Sequence, residues 1–179
     1  EFKARDTFVS LPGLTLATGR EKIAERALRI WADICGNNDW IMPERIAPDR
    51  NCIFEAADNG LWFVYAADKF VKHVGMKEEH ADIRSAARKI TDRYISGIDR
   101  LDLVCGDNML LAVNSDDPLR HWMDAVAGGE TVVHRRGYFV EVNSLWYNAL
   151  KVSEKFAEAD GDTDAAKKYA EMAEKCGAS

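Results

Sequence analysis

Four carboxylates in this chain keep company with aromatic residues. Asp6 lies in Arg5-Asp6-Thr7-Phe8, Asp58 comes shortly before Leu61-Trp62-Phe63, Asp124 follows Trp122-Met123, and Glu141 is upstream of Leu145-Trp146-Tyr147. Such pairs suit sugar recognition, because the apolar face of a pyranose stacks on an aromatic ring while its hydroxyls need charged partners of fixed geometry. Two carboxyl groups facing each other across a glycosidic bond can also act as acid and base. Each residue has a plainer reading beside this one. Asp6 could cap a helix beginning near Thr7, and Asp58 could cap another with Trp62 as core. Trp122 could be a buried aromatic next to a solvated Asp124, and Glu141 falls in a first helical turn, where the dipole favours negative charge.

Other chemistries leave no comparable trace. His73, His80, His121 and His134 never pair at helical ligand spacing, and no glycine-rich phosphate loop or GxSxG elbow is present. The net charge of -6, from 30 acidic and 24 basic residues, is dispersed along the chain and argues against a nucleic-acid partner. Cys35, Cys52, Cys105 and Cys176 are far apart and read as reduced thiols of a cytoplasmic protein. No apolar run reaches the ~20 residues of a membrane span, and the first residues lack the hydrophobic core of a signal peptide. Neither a metal nor an organic cofactor is called for.

The elements that must hold these residues are helices. Ile23, Ala27, Ile30 and Ile34 repeat at i, i+4, i+7 and i+11, as do Phe63, Ala67, Phe70 and Val74, and again Ile83, Ala87, Ile90 and Tyr94. Val142, Leu145, Ala149, Val152 and Phe156 form a fourth stripe, and the Ala-rich stretch from Asp164 to Lys175 a further helix. Short Gly- and Asn-containing breaks favour antiparallel helical hairpins. Only Trp40 to Cys52 and Leu101 to Arg136 read as long irregular loops, which is where chemistry tends to sit. The expectation is one all-α domain over residues 1–179.

In order, four segments resemble the glucosidase part of glycogen debranching enzymes of the amylo-α-1,6-glucosidase family. They are Arg5-Asp6-Thr7-Phe8-Val9-Ser10-Leu11-Pro12-Gly13-Leu14 ending at Thr18-Gly19-Arg20, Asp58-Asn59-Gly60-Leu61-Trp62-Phe63-Val64-Tyr65-Ala66, His121-Trp122-Met123-Asp124-Ala125, and Arg135 to Leu150. The second is similar to a DASLWFVYA pattern, the third to TWMDA, and the fourth to RxGKPVEINALWYNAL. The likeness covers about residues 4 to 150. It implies an (α/α)6 toroid of the six-hairpin glycosidase type, of which these antiparallel hairpins would form about half.

The same resemblance implies that Asp124 is the general acid. Arg5 and Asp6 would hold hydroxyls of the terminal glucose, Asp58 and Glu141 would line the pocket, and Trp62, Trp122 and Trp146 would stack on the sugar or wall it. The implied reaction is inverting hydrolysis of α-1,6-linked glucose at branch points of glycogen or another branched α-glucan. Two departures stand out. Cys105 to Asp117 replaces a glycine-rich segment, and no glycine- and tryptophan-rich segment with the family's basic glutamate follows Leu150. The chain alone is therefore expected to be inactive, and exposed inner-helix edges to favour a homodimer. The rival readings are a six-hairpin α-glucosidase of other linkage and a non-catalytic helical module that binds glycan or protein.

Overall fold

The computed structural model describes residues 2–179, among which there are six α-helices. These are α1 (Ala4–Leu14), α2 (Glu21–Gly36), α3 (Asn59–Val74), α4 (Ala81–Ile95), α5 (Val140–Ala159) and α6 (Thr163–Gly177). Helix α3 packs against α1, α2, α4 and α5, while α5 also meets α4 and α6. The odd-numbered helices thus stand side by side in one row, with α2 and α4 behind them. The α5–α6 connection is short, and Asp162 closes it by accepting a hydrogen bond from the backbone N–H of Ala165 at 3.1 Å.

Three of the four apolar stripes face the core as the periodicity predicts, and one does not. In α2 the buried residues are Ala24, Leu28, Trp31 and Cys35, while Ile23 and Ile30 are 58% and 47% exposed. Two stripes with the same spacing lie one residue apart in this helix, so periodicity alone cannot choose between them. The one carrying the largest ring wins. Trp31 packs edge-on against Phe8 of α1 at 5.6 Å, and Phe8 meets Phe63 of α3 in the same way at 5.4 Å, so three helices share one aromatic joint.

The two irregular regions hold short strands, so the chain is mainly helical rather than all-α. Phe2–Lys3 (β1), Arg45–Ile46 (β2) and Cys52–Ile53 (β3) make an antiparallel sheet, with β2 in the centre. Leu103–Cys105 (β4), Leu111–Val113 (β5), Val126–Ala127 (β6), Glu130–Thr131 (β7) and Gly137–Tyr138 (β8) follow; β5 lies between β4 and β8, and β6 pairs with β7. Side chains of α5 pin the second sheet. Asn143 accepts from the N–H of Leu111 at 2.8 Å and donates to its carbonyl at 2.9 Å.

Trp146 belongs to this scaffold and not to a sugar pocket. It is fully buried, lies stacked on Tyr94 at 6.1 Å, and its indole N–H donates to the carbonyl of Met109 at 2.8 Å. The stacking or wall role expected of it is replaced by core packing, because the ring's faces and its one donor are occupied within the protein. All four cysteines are free thiols, and two of them, Cys35 and Cys176, are buried.

Close approach of α3 to α4 depends on Gly60. A β-carbon there would sit 2.9 Å from both Ile90 Cγ2 and Tyr94 Cε2, inside van der Waals contact. Gly60→Ala is expected to cost about 1 to 3 kcal/mol of stability through overpacking, seen as a lower urea midpoint. An unchanged midpoint would mean that the α3–α4 contact is loose enough to admit a methyl group.

Candidate functional site

The first turns of α1, α3 and α5 converge on one pocket of about 550 Å³, lined by Arg5, Asp58, Trp62, Trp122, Glu141, Ser144 and Leu145. Three helices in one row, each presenting the same end, explain how residues so far apart in sequence meet. Arg5 comes from α1, Asp58 and Trp62 from the start of α3, and Glu141 from the start of α5. Trp122 reaches in from the loop between β5 and β6 and is 50% exposed.

Asp58 occupies the N-cap position of α3, yet its side chain caps nothing. Its carboxylate, 4% exposed, instead receives Arg5 Nε at 2.9 Å on Oδ2 and Arg5 Nη2 at 2.8 Å on Oδ1, and Trp62 Nε1 donates to Oδ2 at 3.1 Å. This bidentate clamp ties α1 to α3 and orients the Trp62 indole beside the pocket. Burial works against the charge of the Arg5 guanidinium. The hydrogen bond and charge of Asp58, with the charges of Glu44 and Asp124, outweigh it and leave Arg5 more basic than usual.

Glu141 is held in the same manner. Arg135 engages both of its oxygens, through Nη1 on Oε1 and through Nη2 on Oε2 at 2.8 Å. The Arg135 hydrogen bond, opposed by partial burial, holds the Glu141 carboxyl below its ordinary range. Arg135 also lies over the ring of Phe139 at 4.5 Å, which fixes the guanidinium from its other side.

The remaining site residues foreseen from sequence separate into two cases. Asp124 is half-buried in the loop after Trp122 and sits near enough to act on the charges of Arg5 and His121, although it is not among the residues lining the pocket. Among the described residues no cation is paired with it. Asp6, by contrast, is not brought in. It is exposed in the first turn of α1, caps nothing because the helix already begins at Ala4, and lines a shallow cleft with Phe2, Lys3, Thr7 and Ser10. Neighbouring residues on a helix point about 100° apart, so Arg5 and Asp6 cannot both face the pocket.

Several contributors escaped the sequence reading. Ser144 and Leu145 follow Glu141 at i+3 and i+4, and that spacing alone could have found them. Arg135 lies in a loop, where no periodicity points to Glu141. Glu44 is similarly hidden; its carbonyl accepts from the N–H of Ala4, the first residue of α1, at 2.7 Å, and its N–H donates to Ile53 at 2.8 Å. Burial first, then the charge and hydrogen bond of Glu55, push the Glu44 carboxyl up to about 7, against the pull of Arg5 and Arg45. No cluster of potential metal ligands occurs among the described residues.

Two expectations follow. Asp58→Ala would leave Arg5 partly buried without its partner and should destabilise the fold by about 3 to 5 kcal/mol, read from urea unfolding; a loss under about 1 kcal/mol would show that the clamp is a surface pair. Glu44 binds a proton more tightly in the folded chain than its ordinary value of 4.5 implies. Its stabilising contribution is therefore complete below about pH 4.5 and fades as pH rises through about 7. Glu44→Gln should flatten the decline of the urea midpoint between about pH 5 and 8, and equal slopes for the two proteins would contradict this linkage.

Comparison with characterised proteins returns no match, and comparison with solved structures returns none. The family model described as amylo-alpha-1,6-glucosidase, by contrast, matches residues 3–179. That span contains every residue of the pocket, and the chain belongs to the amylo-alpha-1,6-glucosidase family.

Proposed function

We propose that this pocket holds the terminal glucose of a branched α-glucan and that the chain is part of a glycogen debranching glucosidase. The carrying observation is that Arg5, Asp58, Trp62, Trp122 and Glu141, drawn from four separate segments, line one pocket with Asp124 beside it. Two aromatic side chains and two fixed carboxylates offer the mixture of apolar faces and charged acceptors that a pyranose needs. The row of α1, α3 and α5 backed by α2 and α4 fits an arc of an (α/α)6 toroid. Cytoplasmic glycogen is the natural substrate under this reading.

The roles divide by partner. Asp58 and Glu141 are each bound by an arginine through both oxygens, which fixes their direction and suits them to hold hydroxyls. Of the three carboxyls only Asp124 is unpaired among the described residues, so its oxygens are the ones open to a leaving group. Asp124 thus donates to the leaving oxygen of the α-1,6 bond, whose electrons return to the glucan. An inverting reaction also needs a carboxylate about 6.5 to 9.5 Å away to take a proton from water. With both pocket carboxylates engaged by arginine, that base comes from outside this pocket set, and the isolated chain turns over poorly.

The same engagement favours a second reading, a helical module that binds glycan without cleaving it. Glucose release from phosphorylase-limit dextrin by the longest natural form of the polypeptide separates the two. Asp124→Asn is expected to lower kcat by about 10² to 10⁴ while maltooligosaccharide binding persists. Equal rates for wild type and mutant would remove Asp124 from the mechanism. Binding without release in both would leave the non-catalytic module.

A further inference from the structure

The loop that carries Trp122 and Asp124 is anchored at two consecutive residues just before them. Arg120 fastens it toward α3: its carbonyl accepts from the N–H of Ala57 at 3.1 Å, its Nη1 donates to the Glu55 carbonyl at 3.2 Å, and its Nε donates to Asp102 at 3.3 Å. His121 fastens it toward α5. Its ring is 1% exposed and meets Phe139, the N-cap residue of α5, edge to face at 5.3 Å. Its Nδ1 accepts the backbone N–H of Met123 at 3.2 Å, while Nε2 is buried with no partner.

An imidazole whose Nδ1 accepts must carry its single proton on Nε2, so the arrangement requires the neutral ring. A second proton would fall on Nδ1, facing the Met123 N–H, and would turn the acceptor into a donor against a donor. The groups that act on this ring are Arg135 and Arg5, which oppose a positive charge, and Glu141 and Asp124, which favour one. Burial and the Arg135 charge prevail, and the ring is less basic than usual. Phe139 is shared: His121 meets it in the T-shaped contact and the Arg135 guanidinium lies over its ring while holding Glu141. One side chain therefore couples the Asp124 turn to the carboxylate at the head of α5.

We propose that His121, as the neutral imidazole, is a positioning residue that holds the Trp122–Asp124 turn against the start of α5, and that protonation of the ring releases the turn. This deepens the functional reading above, since it assigns an acid-side pH limit to the placement of the general acid and not to its own ionisation. A folded state that binds His121's proton less tightly than the unfolded chain is stable above the ordinary imidazole range and loses that contribution as pH falls through the lowered value.

Hydrogen–deuterium exchange at the Met123 amide, corrected for intrinsic rates, tests the lock without requiring activity. In wild type its protection should fall about fivefold or more from about pH 7.5 to about pH 5. His121→Asn, whose side-chain oxygen can accept without titrating, should keep protection that does not change over that range. His121→Phe, which keeps the ring contact but has no acceptor, should lose protection at both ends. The pH–kcat profile gives a second reading, in which the acid limb of His121→Asn moves to lower pH than that of wild type. The proposal is overturned if wild type and His121→Asn share the same pH-dependent protection, or if His121→Phe is protected like wild type. Absence of glucose release in every variant of the longest natural form would instead count against the debranching reading and leave the exchange result standing.

Discussion

The site depends first on the part-buried pair between Arg5 and Asp58. A guanidinium and a carboxylate taken this far from water would each be costly alone; joined through two parallel hydrogen bonds they become a rivet between α1 and α3. The rivet also decides what Asp58 is. With both oxygens filled by Arg5 and one shared with the Trp62 indole, the carboxylate is an acceptor of fixed direction and not a helix cap. The aromatic joint of Phe8 and Phe63, with Trp31 of α2 against Phe8, supplies the apolar contact between the same two helices that keeps the charged pair in register.

A second rivet, between Arg135 and Glu141, repeats the logic at α5. Two pocket carboxylates are clamped by arginine, while Asp124 hangs from a loop with no ion-pair partner among the described residues. That contrast is how one small site can hold carboxyl groups for different tasks: a clamped carboxylate has its direction fixed to hold a hydroxyl, and one without a cation is open to a leaving group. The loop's own placement then rests on its backbone anchors, Arg120 on one side and His121 on the other.

Much of this was legible in the sequence. Patterning located α2 to α6, and the resemblance gave a site role to five of the seven residues that line the pocket. The failures have physical causes. In α2 two equal stripes competed, and only the three-dimensional fit of Trp31 onto Phe8 chose between them. Trp146 and Trp62 look alike in sequence, each in an apolar helix near a carboxylate, but one indole N–H finds a loop carbonyl in the core and the other finds Asp58 at the pocket. Asp6 adjoins Arg5 in the chain yet faces away from it by the turn of the helix. Arg135, Glu44 and the buried face of His121 work from loops, where no period exists to betray them.

The central claim is that the pocket formed by the first turns of α1, α3 and α5 is the glucan site. The most direct measurement is an NMR titration of the five tryptophan indole N–H signals with a short α-1,6-branched maltooligosaccharide. Saturable shifts at Trp62 and Trp122, with Trp31 and Trp146 unmoved in the core, are what this account predicts. No shift at either pocket tryptophan, or a response confined to Trp40 in the cleft between α2 and α4, would contradict it.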